Sequence, residues 1–109
     1  MTKIAVILLA MLGATSAACA DCYDVFGCTN KDVFRAQDLA SGPNCDFLYT
    51  MRNAIYAEHH YCFKTARAIA VFGNQGCVSG DPNALGLNRI ELGNAATILR
   101  VEHAKGCPE

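Results

Sequence analysis

Asn44-Cys45-Asp46-Phe47-Leu48-Tyr49-Thr50-Met51-Arg52-Asn53-Ala54-Ile55-Tyr56-Ala57-Glu58-His59 is the stretch on which the fold turns. Phe47, Leu48, Met51 and Ile55 recur at helical spacing, which predicts one helix over 44–59. Asn44 has a side-chain oxygen that can accept from the first free backbone N–H groups, and Asp46 stands in the first turn. Gly42 and Pro43 stop any helix arriving from the N-terminal side.

Working outward, Thr65 is a second cap. It opens a shorter helix over 65–72, with Gly73-Asn74 as its exit. Residues 75–87, rich in Gly, Ser, Asp, Pro and Asn, read as a loop. The third helix carries the fullest set of end signals. Asn88 followed by Glu91 is a capping-box pattern, and Gly106 then Pro108 mark the stop. Ile90, Thr97, Val101 and Ala104 form its expected apolar stripe, with Ile98 beside it. Arg89, Arg100 and Lys105 lie on the same helix with Glu91 and Glu102, and all five read as a solvated mixed face. Before Pro43, Thr29 and Asp32 can cap a short turn carrying Val33, Phe34 and Leu39, a flap over the helices.

The opposite end of the chain is an address. Lys3 is followed by an uncharged apolar run from Ile4 to Leu12, then by small residues to Ala20. That order predicts a signal peptide over 1–20, cleaved after Ala20. The run is too short for the roughly 20 residues a membrane-crossing helix needs, and no second run reaches that length. Cys19 offers a lipid anchor as an alternative, ranked lower because Ser16 stands where a lipoprotein signal wants a large aliphatic residue. The 109-residue chain has net charge −1, and loss of Lys3 makes it about −2. Neither value is the footprint of a nucleic-acid or anionic-membrane binder. No nucleic-acid partner, membrane span or cofactor is expected. The layout is a signal peptide over 1–20, an N-terminal flap with a small cysteine loop over 21–43, and a helical domain over 44–109.

Seven cysteines are present, and removal of Cys19 leaves Cys22, Cys28, Cys45, Cys62, Cys77 and Cys107. An even set in a short exported chain reads as a disulfide framework. No metal site is expected, since no paired Cys or Cys/His spacing occurs and oxidised sulfur is not a ligand. Six cysteines allow 15 pairings. If short connections make the three helices alternate up, down, up, the ends that meet give Cys45–Cys77 and Cys62–Cys107. Cys22–Cys28 then closes the small N-terminal loop. The expected class is all-α, a small three-helix domain stapled by disulfides.

The segment Arg52-Asn53-Ala54-Ile55-Tyr56-Ala57-Glu58-His59-His60-Tyr61-Cys62-Phe63-Lys64 resembles the core of the YARHG domain. Asp38-Leu39, Phe72, Asn94, Glu102 and Gly106-Cys107 extend the likeness over about residues 33–107. The resemblance implies an extracellular or periplasmic bacterial domain and brings no catalytic residues with it. Two positions depart from the pattern. Glu58 stands where the family has Arg, reversing a charge. His60 stands where it has Gly, and a left-handed backbone there costs on the order of 1 kcal/mol for an L-residue.

The candidate binding residues are Arg52, Asn53, Tyr56, Glu58 and His59. Glu58 and His59, with His60 and His103, are the cluster with chemical promise. Neighbouring histidines point about 100° apart on a helix and do not chelate one metal as an i, i+4 pair does. A Glu–His pair can move a proton, but no nucleophile or second carboxylate stands at a known spacing. Arg52 and Asn53 read more simply as side chains that tie down neighbouring backbone. Tyr49, Tyr56, Tyr61, Phe63 and Phe72 read as core rather than a sugar-stacking platform. The functional expectation is an exported, non-enzymatic module binding an envelope protein or wall component. A small periplasmic hydrolase using Glu58 and His59, and a secreted inhibitor or toxin-like protein, are the alternatives.

Overall fold

A computed structural model describes residues 22–109. The expected leader, its cut after Ala20 and the alternative anchor at Cys19 lie outside the described residues.

Among the described residues four α-helices are present where three were expected, together with a small hairpin. The helices are α1 (Ala36–Ser41), α2 (Cys45–Ala57), α3 (Ala66–Phe72) and α4 (Arg89–Lys105). A 3-10 turn at Pro82–Ala84 interrupts the long loop. Strands β1 (Cys22–Tyr23) and β2 (Gly27–Cys28) pair antiparallel, Cys22 opposite Cys28. Neither α1 nor the hairpin has a sequence signal of its own. The backbone at Arg35 leads into α1 without a side-chain cap, and two-residue strands are too short to show alternation. Tertiary contacts hold both. Gly27 takes φ 99°, and a Cβ there would stand 2.6 Å from the Asp32 carboxylate. That carboxylate accepts from the Cys28 N–H at 2.7 Å.

The other helix starts follow the capping chemistry of the sequence. Asn44 accepts from Phe47 N–H at 2.8 Å, Thr65 from Ala68 N–H at 3.2 Å, and Asn88 and Glu91 close the reciprocal capping box. Across α2, α3 and α4 these caps give four otherwise orphaned donors partners within a turn.

The core lies between α2 and α4. Leu48, Met51 and Ile55 of α2 meet Ala95, Ile98 and Val101 of α4, and the segment before Pro43 adds Phe34 and Leu39. Phe47, expected inside, is 46% exposed and sits edge-on to the Tyr23 ring instead. A second, smaller core gathers Tyr49, Phe63 and Ala68, with Tyr56, Tyr61 and Phe72 packed around it.

The helices do not alternate up, down, up, and this overturns two of the three expected disulfides. Partners run in opposite senses along α2 and α4. Cys45 is bonded to Cys107, Arg52 meets Glu102 and His59 meets Glu91. The two long helices are therefore antiparallel, and α3 is a short side element rather than a middle leg. The start of α2 adjoins the end of α4, which makes Cys45–Cys107 rather than Cys45–Cys77. Cys62 then bonds to Cys77, not Cys107, and closes the excursion that contains α3. The backbone repeats this closure, with Cys62 N–H donating to Ser79 O and Val78 N–H to His60 O, both at 2.7 Å. Cys22–Cys28 forms as expected. Among the described residues no helix is long and apolar enough to cross a membrane.

Candidate functional site

The face that α4 turns inward differs from its expected apolar stripe. Glu91, Asn94, Ala95, Ile98, Val101 and Glu102 are buried, whereas Ala104 is exposed and Ile90 and Thr97 are half-buried. Glu91 and Glu102 thus leave the solvated face on which the charge pattern had put them. Polar residues occupy three inward positions, and burial of such groups is tolerable only when they are bonded.

Each of the three has its partners. Glu102, its side chain 4% exposed, receives the Arg52 guanidinium through both oxygens, with Arg52 Nη2 to Oε2 at 3.2 Å. Glu91 Oε2 lies 2.8 Å from His59 Nε2, while its Oε1 accepts from Asn88 N–H in the capping box. Asn94 accepts from Phe34 N–H at 2.8 Å and donates to Thr29 O and Asp32 O at 3.0 and 2.8 Å. Both its amide hydrogens and its oxygen are used, so one side chain fixes the N-terminal segment onto α4. Asn74 does the same for the turn after α2, donating to Phe63 O and accepting from Phe63 N–H.

Four of the five candidate binding residues fall into this framework. Arg52 pairs with Glu102. Asn53 donates to Tyr49 O at 2.9 Å, one turn back in its own helix. His59 holds Glu91. Tyr56 packs its ring 5.6 Å from that of Tyr61. Its hydroxyl titrates above the ordinary 10.0, because burial disfavours the phenolate more than the nearby Arg52 charge favours it, and Tyr61 adds to the rise. Glu58, the fifth, stands half-buried at the end of α2. Glu58 and His59 are adjacent in sequence, but the carboxylate facing His59 Nε2 is that of Glu91, 32 residues away. Among the described residues no group of three or more His, Cys, Asp or Glu is placed to hold a metal ion.

A cleft of about 500 Å³ opens beside this framework, between α2, the start of α3 and the C-terminal half of α4. Tyr49 and Phe63 form its apolar wall, and Arg52, Lys64, Arg67 and His103 bring cationic or titratable groups to it. The Arg67 guanidinium carbon lies over the Tyr49 ring, 3.6 Å from its centroid, and the guanidinium reaches Asp46 at 3.0 Å. Contact with an aromatic face both attracts a guanidinium and leaves its N–H edge available to an acceptor. Glu109 also lines the cleft, its carboxylate 3.8 Å from His103 Nε2.

Of the cleft residues, Lys64, Arg67 and His103 were not expected to act together. Their one sequence signal is local: Lys64 and Arg67 flank the Thr65 cap, next to Phe63. His103 joins them only because α4 runs antiparallel to α2.

The YARHG domain model matches residues 27–103. No curated protein matches the chain, and no solved structure does.

Proposed function

The chain belongs to the YARHG domain family, and we propose that it acts outside the cytoplasm as a non-enzymatic binding or structural module of the bacterial cell envelope. The reading rests on where its polar groups are spent. His59 is bonded to a carboxylate whose other oxygen caps α4, so the imidazole's part there is structural. The cleft beside it is open, part apolar and part cationic, which is the usual composition of a recognition site. Three disulfides fit an oxidising compartment and a small exported domain. That chemistry, together with the leader read in the sequence, supports a periplasmic or secreted localisation.

The test is a titration of the 15N-labelled, oxidised protein with envelope fractions, wall fragments and membrane-free proteins kept separate. The expected result is a set of saturable amide shifts at the cleft, at Lys64, Arg67 and His103. These should survive Glu58→Gln and His59→Ala wherever the variants remain folded. Turnover of a wall polymer that Glu58→Gln abolishes would replace this reading with the hydrolase.

A further inference from the structure

We propose that the cleft recognises an acidic peptide segment of a partner protein, its carboxylates meeting Arg67 and Lys64 and its apolar side chains meeting Tyr49 and Phe63. This rests on the cleft being the working site of the domain.

Charge is the first argument. Four of the lining residues are basic or can become so, against one acid, Glu109. The chain as a whole is slightly acidic, whereas the lining of this cleft carries a local excess of basic groups. Arg52 is neutralised by Glu102 and acts as wall. Lys64 and Arg67 supply the attraction.

Preorganisation is the second. Contact with the Tyr49 ring holds the Arg67 guanidinium at the cleft before any ligand arrives, which reduces the side-chain entropy lost on binding. Its present partner is weakly held. Asp46 is 89% exposed, and an exposed pair is worth at most about 1 kcal/mol. A ligand carboxylate can therefore take the guanidinium edge at little cost, with the bidentate geometry that favours Arg over Lys. Glu109 shows the same preference within the chain, since its side chain lines the cleft against His103. It is a weak internal competitor for an incoming acid.

The experiment titrates the 15N-labelled protein with acetyl-Glu-Phe-Glu-Glu-amide, and with acetyl-Gln-Phe-Gln-Gln-amide as the uncharged control. The acidic peptide should shift the amides of Lys64, Arg67, Ala68 and His103 saturably, and the control should not. Arg67→Gln should weaken binding about tenfold, and Lys64→Gln, at an exposed position, should weaken it less. Glu109→Gln should tighten it about twofold. Equal binding of both peptides, or shifts confined to another face, would overturn the proposal. If neither peptide binds but wall fragments shift the same amides, the acidic-peptide assignment falls and the cleft reading stands. If envelope fractions also leave the cleft unmoved, both fall.

Discussion

His60 carries the clearest cost written into one residue. Helix α2 ends as α4 does. Tyr61 N–H bonds to Tyr56 O and His60 N–H to Ala57 O, while Cys107 N–H bonds to Glu102 O and Gly106 N–H to His103 O. Both are the paired closing bonds that need one left-handed residue. At the end of α4 that residue is Gly106, φ 74°, and at the end of α2 it is His60, φ 63°. The Tyr56–Tyr61 ring contact supplies the apolar pair that accompanies such an ending. Because His60 is exposed, its ring loses little when removed. His60→Gly is expected to raise stability by about 1 kcal/mol, read as a higher urea midpoint with unchanged m-value. Gly106→Ala is expected to lower it by a similar amount. Tyr56 adds a dependence on pH. Its folded pKa lies above the unfolded 10.0, so an unfolded chain loses this proton first. The contribution is complete below pH 10 and is lost as pH rises through the folded value. Tyr56→Phe should flatten that part of the alkaline decline in stability, measured by urea titration between pH 9 and 11.

At the scale of elements, Asn94 decides whether the N-terminal segment belongs to the core. Three backbone groups depend on its side chain, those on Phe34 and Thr29 buried and that on Asp32 partly buried. An unsatisfied buried group costs roughly 1–3 kcal/mol, so Asn94→Ala is expected to lower stability by about 3 kcal/mol. Its signature would be local. The Phe34 amide, which donates to Asn94 Oδ1, should exchange with solvent far faster, while the amides inside α2 keep more of their protection. Asn94 also marks what the sequence could and could not announce. The helices that begin with Asn44, Thr65 and Asn88 were legible, because a cap is a contact between neighbours in sequence. Apolar periodicity placed Leu48, Met51 and Ile55 correctly for the same reason. The inward face of α4 was not legible, because three of its buried positions are polar and a stripe drawn through apolar residues alone rotates away from them. Their partners, Arg52, His59 and the backbone at Phe34, are 32 to 60 residues distant. Arg52 and His59 were therefore visible as unusual residues, but their work of joining α2 to α4 was not.

For the whole molecule, the sense in which α4 runs controls both the disulfide pattern and the cleft. The antiparallel pair brings His103 and Leu99 opposite Tyr49 and Arg52, and the same geometry brings Cys107 to Cys45. The Cys45–Cys107 link spans 62 residues and encloses α2, α3 and α4. In the chain-entropy account a loop of that length is worth about 4 kcal/mol, against about 3 for the 15 residues of Cys62–Cys77. A small domain has only about 5–15 kcal/mol in total, so the long link is a large share of its stability. Cys45→Ser with Cys107→Ser should lower the thermal midpoint more than Cys62→Ser with Cys77→Ser. The two losses should also differ in place. Opening Cys45–Cys107 frees the end of α4 and loosens the core at Val101, which packs beside it. Opening Cys62–Cys77 leaves α2 against α4 intact through Arg52–Glu102 and His59–Glu91, and frees only the excursion that carries Lys64 and Arg67. Hydrogen exchange on the two double variants separates these cases. Faster exchange in α3 than in α4 after loss of Cys45–Cys107 would contradict the antiparallel clasp as the main support of the fold.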